Sequence, residues 1–136
     1  MRANLNQSLN FNIFLYLIRY NLTMQWSVEF YKTQENSSPV EEWLDSIPTT
    51  ARAKMLRNMF LLEEFGFSLK EPYVKPLKDK LYEVRAKDNR GIYRVVYFAF
   101  KDKRLVMLHG FTKKTQKTPP SEIAVAKKRM KDFINE

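Results

Sequence analysis

Three runs of alternating side chains crowd into Leu81–Phe111: "LYEVRA", "GIYRVVYFAF" and "RLVMLHGF". The links between them, "KDNRG" and "KDK", are too short for a crossover, so the runs must fold back on one another as an antiparallel meander. Alternation then sorts the side chains by face. Tyr82 and Val84 oppose Glu83 and Arg85, and Tyr93, Val95 and Tyr97 oppose Arg94, Val96 and Phe98.

The flanking segments complete the layer. "MQWSVEFY", from Met24, alternates as a first strand. In "SSPVEEWLDSIP", Ser38 and Glu41 form a capping box with Pro39 at the first helical position, and Pro48 ends the helix. A longer helix over Thr50–Phe65 carries Met55, Leu56, Met59, Phe60 and Leu62, and Gly66 stops it. "SLKEPYVKPLKDK" reads as a loop. Beyond the meander, Thr118 caps a last helix whose apolar face is Ile123, Ala126, Met130 and Phe133. The expected fold class is α+β: a small, mostly antiparallel sheet of the N-terminal strand plus the three-strand meander, with a helical hairpin on one face and a C-terminal helix. The other sheet face is expected to stay partly free.

The chain of 136 residues suits one domain. Residues 1–23 differ from the rest: their apolar run is about half the length of a membrane span, and no cleavage site follows. They read as an extension or an upstream-start artefact, with the domain proper at 24–136. There is no cysteine, which excludes disulfides and zinc–thiolate sites and fits a reducing, cytoplasmic setting without a membrane partner.

The net charge of +9 is concentrated between Ser68 and Thr118, where fourteen basic residues face five acidic ones. Such a segment is the footprint of a polyanion, or alternatively a solubilising surface. Arg85 and Arg94 are costly in mid-strand unless they meet water, an anion or a structural carboxylate such as Glu83. On a free face they converge on a phosphate. His109, the chain's one histidine, ends the third run and is either a general acid–base group or a hydrogen-bonded core residue. Lys113, Lys114 and Lys117 follow in a hydroxyl-rich loop, as a phosphate cradle or a solvated charge run. Lys75, Lys78 and Lys117, with Glu83, complete the expected RNA-facing set.

No P-loop stretch occurs, and no acids or histidines stand at metal-ligand spacing, so neither metal nor cofactor is expected. What remains is attack of a ribose 2′-hydroxyl on its own phosphate, stabilised by cations, with His109, Glu83 or a lysine moving protons.

The stretches "LYEVRAKDNRGIYRVVYF" and "LHGFTKKTQKTPPSEIAVAKKRM", with "SPVEEWLDSI" upstream, resemble the HigB-like branch of the RelE/ParE toxin superfamily over about 24–133. The resemblance implies a RelE-like fold and a type II toxin that cleaves messenger RNA, in many relatives on the ribosome. It also implies a cognate antitoxin, typically of helix-turn-helix type. The catalytic positions it carries over are Arg85, Arg94, Lys113 and Lys114, with His109 near where some relatives place a histidine. The C-terminal tyrosine of several relatives has no counterpart here. A ParE-like gyrase inhibitor, or a nucleic-acid-binding module without chemistry, is the alternative.

Overall fold

The computed structural model describes residues 11–16 and 26–136. Residues 11–16 form a short helical stretch whose apolar side chains are exposed; the boundary at Met24 lies outside the described residues. From Trp26 onward the order is β1 (Ser27–Phe30), α1 (Pro39–Ser46), α2 (Thr49–Phe65), a 3₁₀ turn (Gly66–Ser68), β2 (Val74–Pro76), β3 (Tyr82–Asp88), β4 (Gly91–Phe100), β5 (Arg104–Lys113) and α3 (Pro120–Ile134). The five strands form one sheet in the order β1-β5-β4-β3-β2. β1 runs parallel to β5, and the other pairings are antiparallel. This is the expected α+β architecture with its meander, widened by β2 inside a segment that reads as loop. Pro76 and the three-residue length hide the strand, and an edge position tolerates both.

The alternation in β4 separates two cores. Tyr93, Val95 and Tyr97 pack with Val84, Leu105 and Met107 against Val40, Leu44, Met55, Met59 and Leu62 of the helical hairpin. Val96, Phe98, Val106, Leu108 and Phe111 pack against Ala126, Ile123, Met130 and Phe133 of α3. Each fully buried aliphatic chain contributes about 1.5–3 kcal/mol. The register of β5 slips from Val96↔His109 to Tyr97↔Met107, leaving Leu108 unpaired as a bulge. The slip resets the alternation, so Val106 and Leu108 before it, and His109 and Phe111 after it, all face α3. Gly110 faces the opposite side, where the Trp43 ring lies so close that a Cβ would overlap it.

Four local expectations need correction. The sheet face opposite the hairpin is covered by α3 over much of its area. Ser38 and Glu41 form no capping box: the Ser38 hydroxyl caps nothing and is buried without a partner. Thr118 does not cap α3 either, because its hydroxyl is used inside the sheet. On α2 the inward face is Ala51, Met55, Asn58, Met59 and Leu62, while Leu56 and Phe60 are exposed.

Candidate functional site

Register fixes what the α3 side of the sheet presents. Three cross-strand rows lie side by side there: Lys75–Glu83–Val96–His109, Arg85–Arg94–Phe111 and Lys87–Ile92–Lys113. Arg85 and Arg94 therefore stand directly opposite each other. Two adjacent guanidinium groups need an anion between them, and Glu83, one pleat along, supplies it. Its Oε1 accepts from Arg85 Nε at 2.6 Å and lies 3.6 Å from Arg94 Nη1. Its Oε2 accepts from the Thr118 hydroxyl.

The two arginines have different fates. Arg94 is fully buried. It donates from Nη1 to Thr118 Oγ1 at 3.1 Å and from Nη2 to the Thr115 carbonyl, while its Nε is buried without a partner. Burial lowers its pKa, Glu83 opposes that shift, and Arg85 adds to it. The guanidinium stays charged, because nothing in a protein removes that proton at working pH. The expectation of an Arg94 opening onto a free face is thus corrected: the side chain is fully buried, bound to the Thr115–Thr118 segment. Glu83, expected to face RNA or move protons, is equally buried, with both oxygens engaged.

Arg85 is only partly covered. Besides Glu83 it bonds the Gln116 carbonyl at 3.1 Å through Nη2, and it lines a cleft of about 470 Å³. The cleft exists because β2 pairs with β3 only over Tyr82–Val84; past the Arg85 N–H, which donates to the Tyr73 carbonyl at 2.8 Å, β3 runs on with no strand on that side. Around that edge gather Lys54, Arg57 and Asn58 of α2, Glu71 and Tyr73 of the following loop, Lys87 of β3, and Gln116. Asn58 fixes the wall by donating to the Arg85 carbonyl at 2.6 Å. Lys54 donates to the Lys87 carbonyl at 3.2 Å. Four cations and one carboxylate line this opening. The excess of positive charge suits an anion, and a guanidinium can meet a phosphate through two donors at once.

The other expected residues spread around the cleft rather than within it. Lys113 shares the cross-strand row of Lys87 and Ile92 at the cleft's end of the sheet. Lys114 and Lys117 are exposed on the loop that sends Gln116 into the cleft. Lys75 is the cross-strand partner of Glu83. Lys78 is exposed in the β2–β3 turn, beside Asp79, which pairs with Lys127 of α3. His109 is not among the residues lining the cleft. Arg129 Nη1 donates to His109 Nδ1 at 3.2 Å, which turns the ring's Nε2 toward the Glu122 carboxylate. The ring also stacks on Phe111 at 5.6 Å.

Lys54 and Arg57 escape a reading of the sequence because the hairpin has the character of an acidic scaffold, and Tyr73 because its segment reads as a loop. The available signal is the 54, 57, 58 spacing, which puts two cations and an amide on one helical stripe.

Among the described residues no helix is long and apolar enough to cross a membrane. No curated protein matches the chain. The family described as Phage derived protein Gp49-like (DUF891) matches residues 42–131, a span that holds the cleft, the Glu83–Arg94–Thr118 network and most of α3. The chain therefore belongs to the Gp49-like family of phage-derived proteins, which falls within the RelE/HigB-like toxin superfamily and is associated with the toxins of toxin–antitoxin modules.

Proposed function

We propose that the chain is the HigB-like toxin of a type II module, a metal-independent endoribonuclease that cuts messenger RNA on the ribosome and is neutralised by a helix-turn-helix antitoxin. The observation that carries this reading is the cleft itself, in which Lys54, Arg57, Arg85 and Lys87 line one opening with a single carboxylate beside β3. A phosphodiester seated there is held at its non-bridging oxygens by Arg85 and Arg57. The ribose 2′-oxygen attacks the adjacent phosphorus and the bond to the 5′-oxygen breaks. A proton leaves the 2′-hydroxyl and another reaches the departing 5′-oxygen. The cations stabilise the extra negative charge of the pentavalent state. Glu71, the cleft's one carboxylate, is the group this reading assigns to take the 2′-hydroxyl proton. Glu83 and His109 are less suited to that task, since their polar atoms are already engaged. Arg94 acts as a positioning residue, holding the Thr115–Thr118 segment whose Gln116 closes the cleft. No three His, Cys, Asp or Glu side chains gather to hold a metal ion among the described residues.

The test is to add the purified protein to a translation reaction and map RNA ends. New 5′-hydroxyl ends, paired with 2′,3′-cyclic phosphates and formed equally in chelator, support the reading. Intact message together with loss of gyrase supercoiling would overturn it in favour of a gyrase inhibitor.

A further inference from the structure

On the hairpin side of the sheet a second pocket, of about 210 Å³, opens between the 3₁₀ turn and β2–β4. Phe67, Leu69, Val74, Tyr82 and Tyr97 line it, and Lys70 is its one charged lining residue. The aromatic rings form a continuous set. Tyr82 stacks on Tyr97 at 5.7 Å and 26°, Phe67 tilts onto Tyr82 at 5.5 Å, and Trp26 meets Phe67 edge-on at 5.0 Å. Gly66 makes this possible: it sits at φ +52°, and a Cβ there would overlap the Trp26 indole. Phe67 remains 46% exposed, so the stack is open at one end.

Two features mark the pocket. Tyr97, 2% exposed, brings a phenol into a wall that is otherwise mostly apolar, and burial, with Tyr82 beside it, raises the pKa of that phenol. The pocket also shares a wall with the cationic cleft: in the segment 69–76, Glu71, Pro72 and Tyr73 line the cleft, while Leu69, Lys70, Val74 and Pro76 line the pocket.

We infer that this pocket takes a nucleobase of the RNA strand whose phosphates lie in the neighbouring cleft, with Phe67 and Tyr82 supplying stacking and the Tyr97 hydroxyl reading the base edge. The inference rests on the proposed function for its ligand. Aromatic stacking beside a cationic track is how proteins hold single strands. A phenol in the pocket wall adds discrimination, because a base whose edge meets it gains a hydrogen bond that the other bases lack.

The test uses the full chain, with aromatic ¹³C NMR as the readout and the four nucleoside 5′-monophosphates, ribose 5-phosphate and a tetraribonucleotide as probes. Base-bearing probes are expected to shift Phe67, Tyr82 and Tyr97, with one base preferred, and ribose 5-phosphate to leave them unmoved. Tyr97→Phe keeps the ring and removes only the hydroxyl; it should weaken the preferred base roughly fivefold to tenfold and level the preference. Phe67→Ser, at an exposed position, should weaken all four bases. Lys54→Ala with Arg57→Ala should weaken the tetranucleotide yet leave the mononucleotide shifts at Phe67 in place. Equal binding of ribose 5-phosphate and nucleotides, or an unaltered base preference in Tyr97→Phe, overturns the inference. If base binding persists while RNA is never cut, the nuclease reading alone falls.

Discussion

Arg94 and Thr118 lie 24 residues apart in the chain, yet Arg94 Nη1 donates to the Thr118 hydroxyl at 3.1 Å. Thr118 in turn donates to Glu83, and Arg94 Nη2 donates to the Thr115 carbonyl. One buried guanidinium thereby fastens both ends of the Thr115–Thr118 segment to the sheet. Through Gln116 that segment sets the backbone oxygen that bonds Arg85. Buried ion pairs add little net stability as pairs, but removing one member leaves the other's charge stranded.

Arg94→Ala should therefore act first on the fold. Urea denaturation is expected to show a loss of about 3–5 kcal/mol. Arg94→Lys should recover part of it, since one ammonium cannot reach Thr115 and Thr118 together. An unchanged midpoint in Arg94→Ala would mean that the segment is held by something else.

Lys54 and Arg57 are exposed on α2, so replacing both with alanine should move stability by no more than about 0.5 kcal/mol. RNA binding should respond instead. The slope of log affinity against log salt should shrink by about 0.7 for each phosphate that is no longer neutralised. A slope equal to wild type would place the strand away from this cleft.

Glu71→Gln keeps the shape of the cleft and removes its proton acceptor. The cleavage rate is expected to fall about 100-fold with RNA affinity retained. A folded variant that cuts at the wild-type rate would move the proton transfer to another group.

His109 joins β5 to α3 through Glu122 and Arg129. His109→Gln should cost about 1–2 kcal/mol of stability. Its effect on cleavage should fall well short of the ~100-fold that loss of a general base carries. A fall of that size with the fold intact would return the ring to the chemistry.

Much of the fold is legible in the sequence because periodicity is local. The alternation of "GIYRVVYFAF" defines β4 at Gly91–Phe100 and sorts Tyr93 from Arg94 without any tertiary knowledge. The shared face of Arg85 and Arg94 follows from the same rule. What closes over that face does not, because it depends on chain that returns more than twenty residues later. The stripe of Ile123, Ala126, Met130 and Phe133 is visible, but nothing in it names the sheet face that it covers. Thr118 before two prolines reads locally as a cap, and only the tertiary fold turns its hydroxyl toward Glu83. Lys54 and Arg57 are hidden for a different reason. They belong to a helix whose buried side dominates its pattern, and their meeting with Arg85 is a product of packing alone.

The central claim is that Arg85, held between Glu83 and Gln116, grips a phosphodiester in the cleft beside β3. It is tested most directly by timing messenger RNA cleavage in chelator for the wild-type chain and for Arg85→Ala, with melting curves alongside. Chelator-resistant cutting by the wild type and a loss of about 100-fold or more in a folded variant are the predicted results. A folded Arg85→Ala that cuts at the wild-type rate would contradict the account.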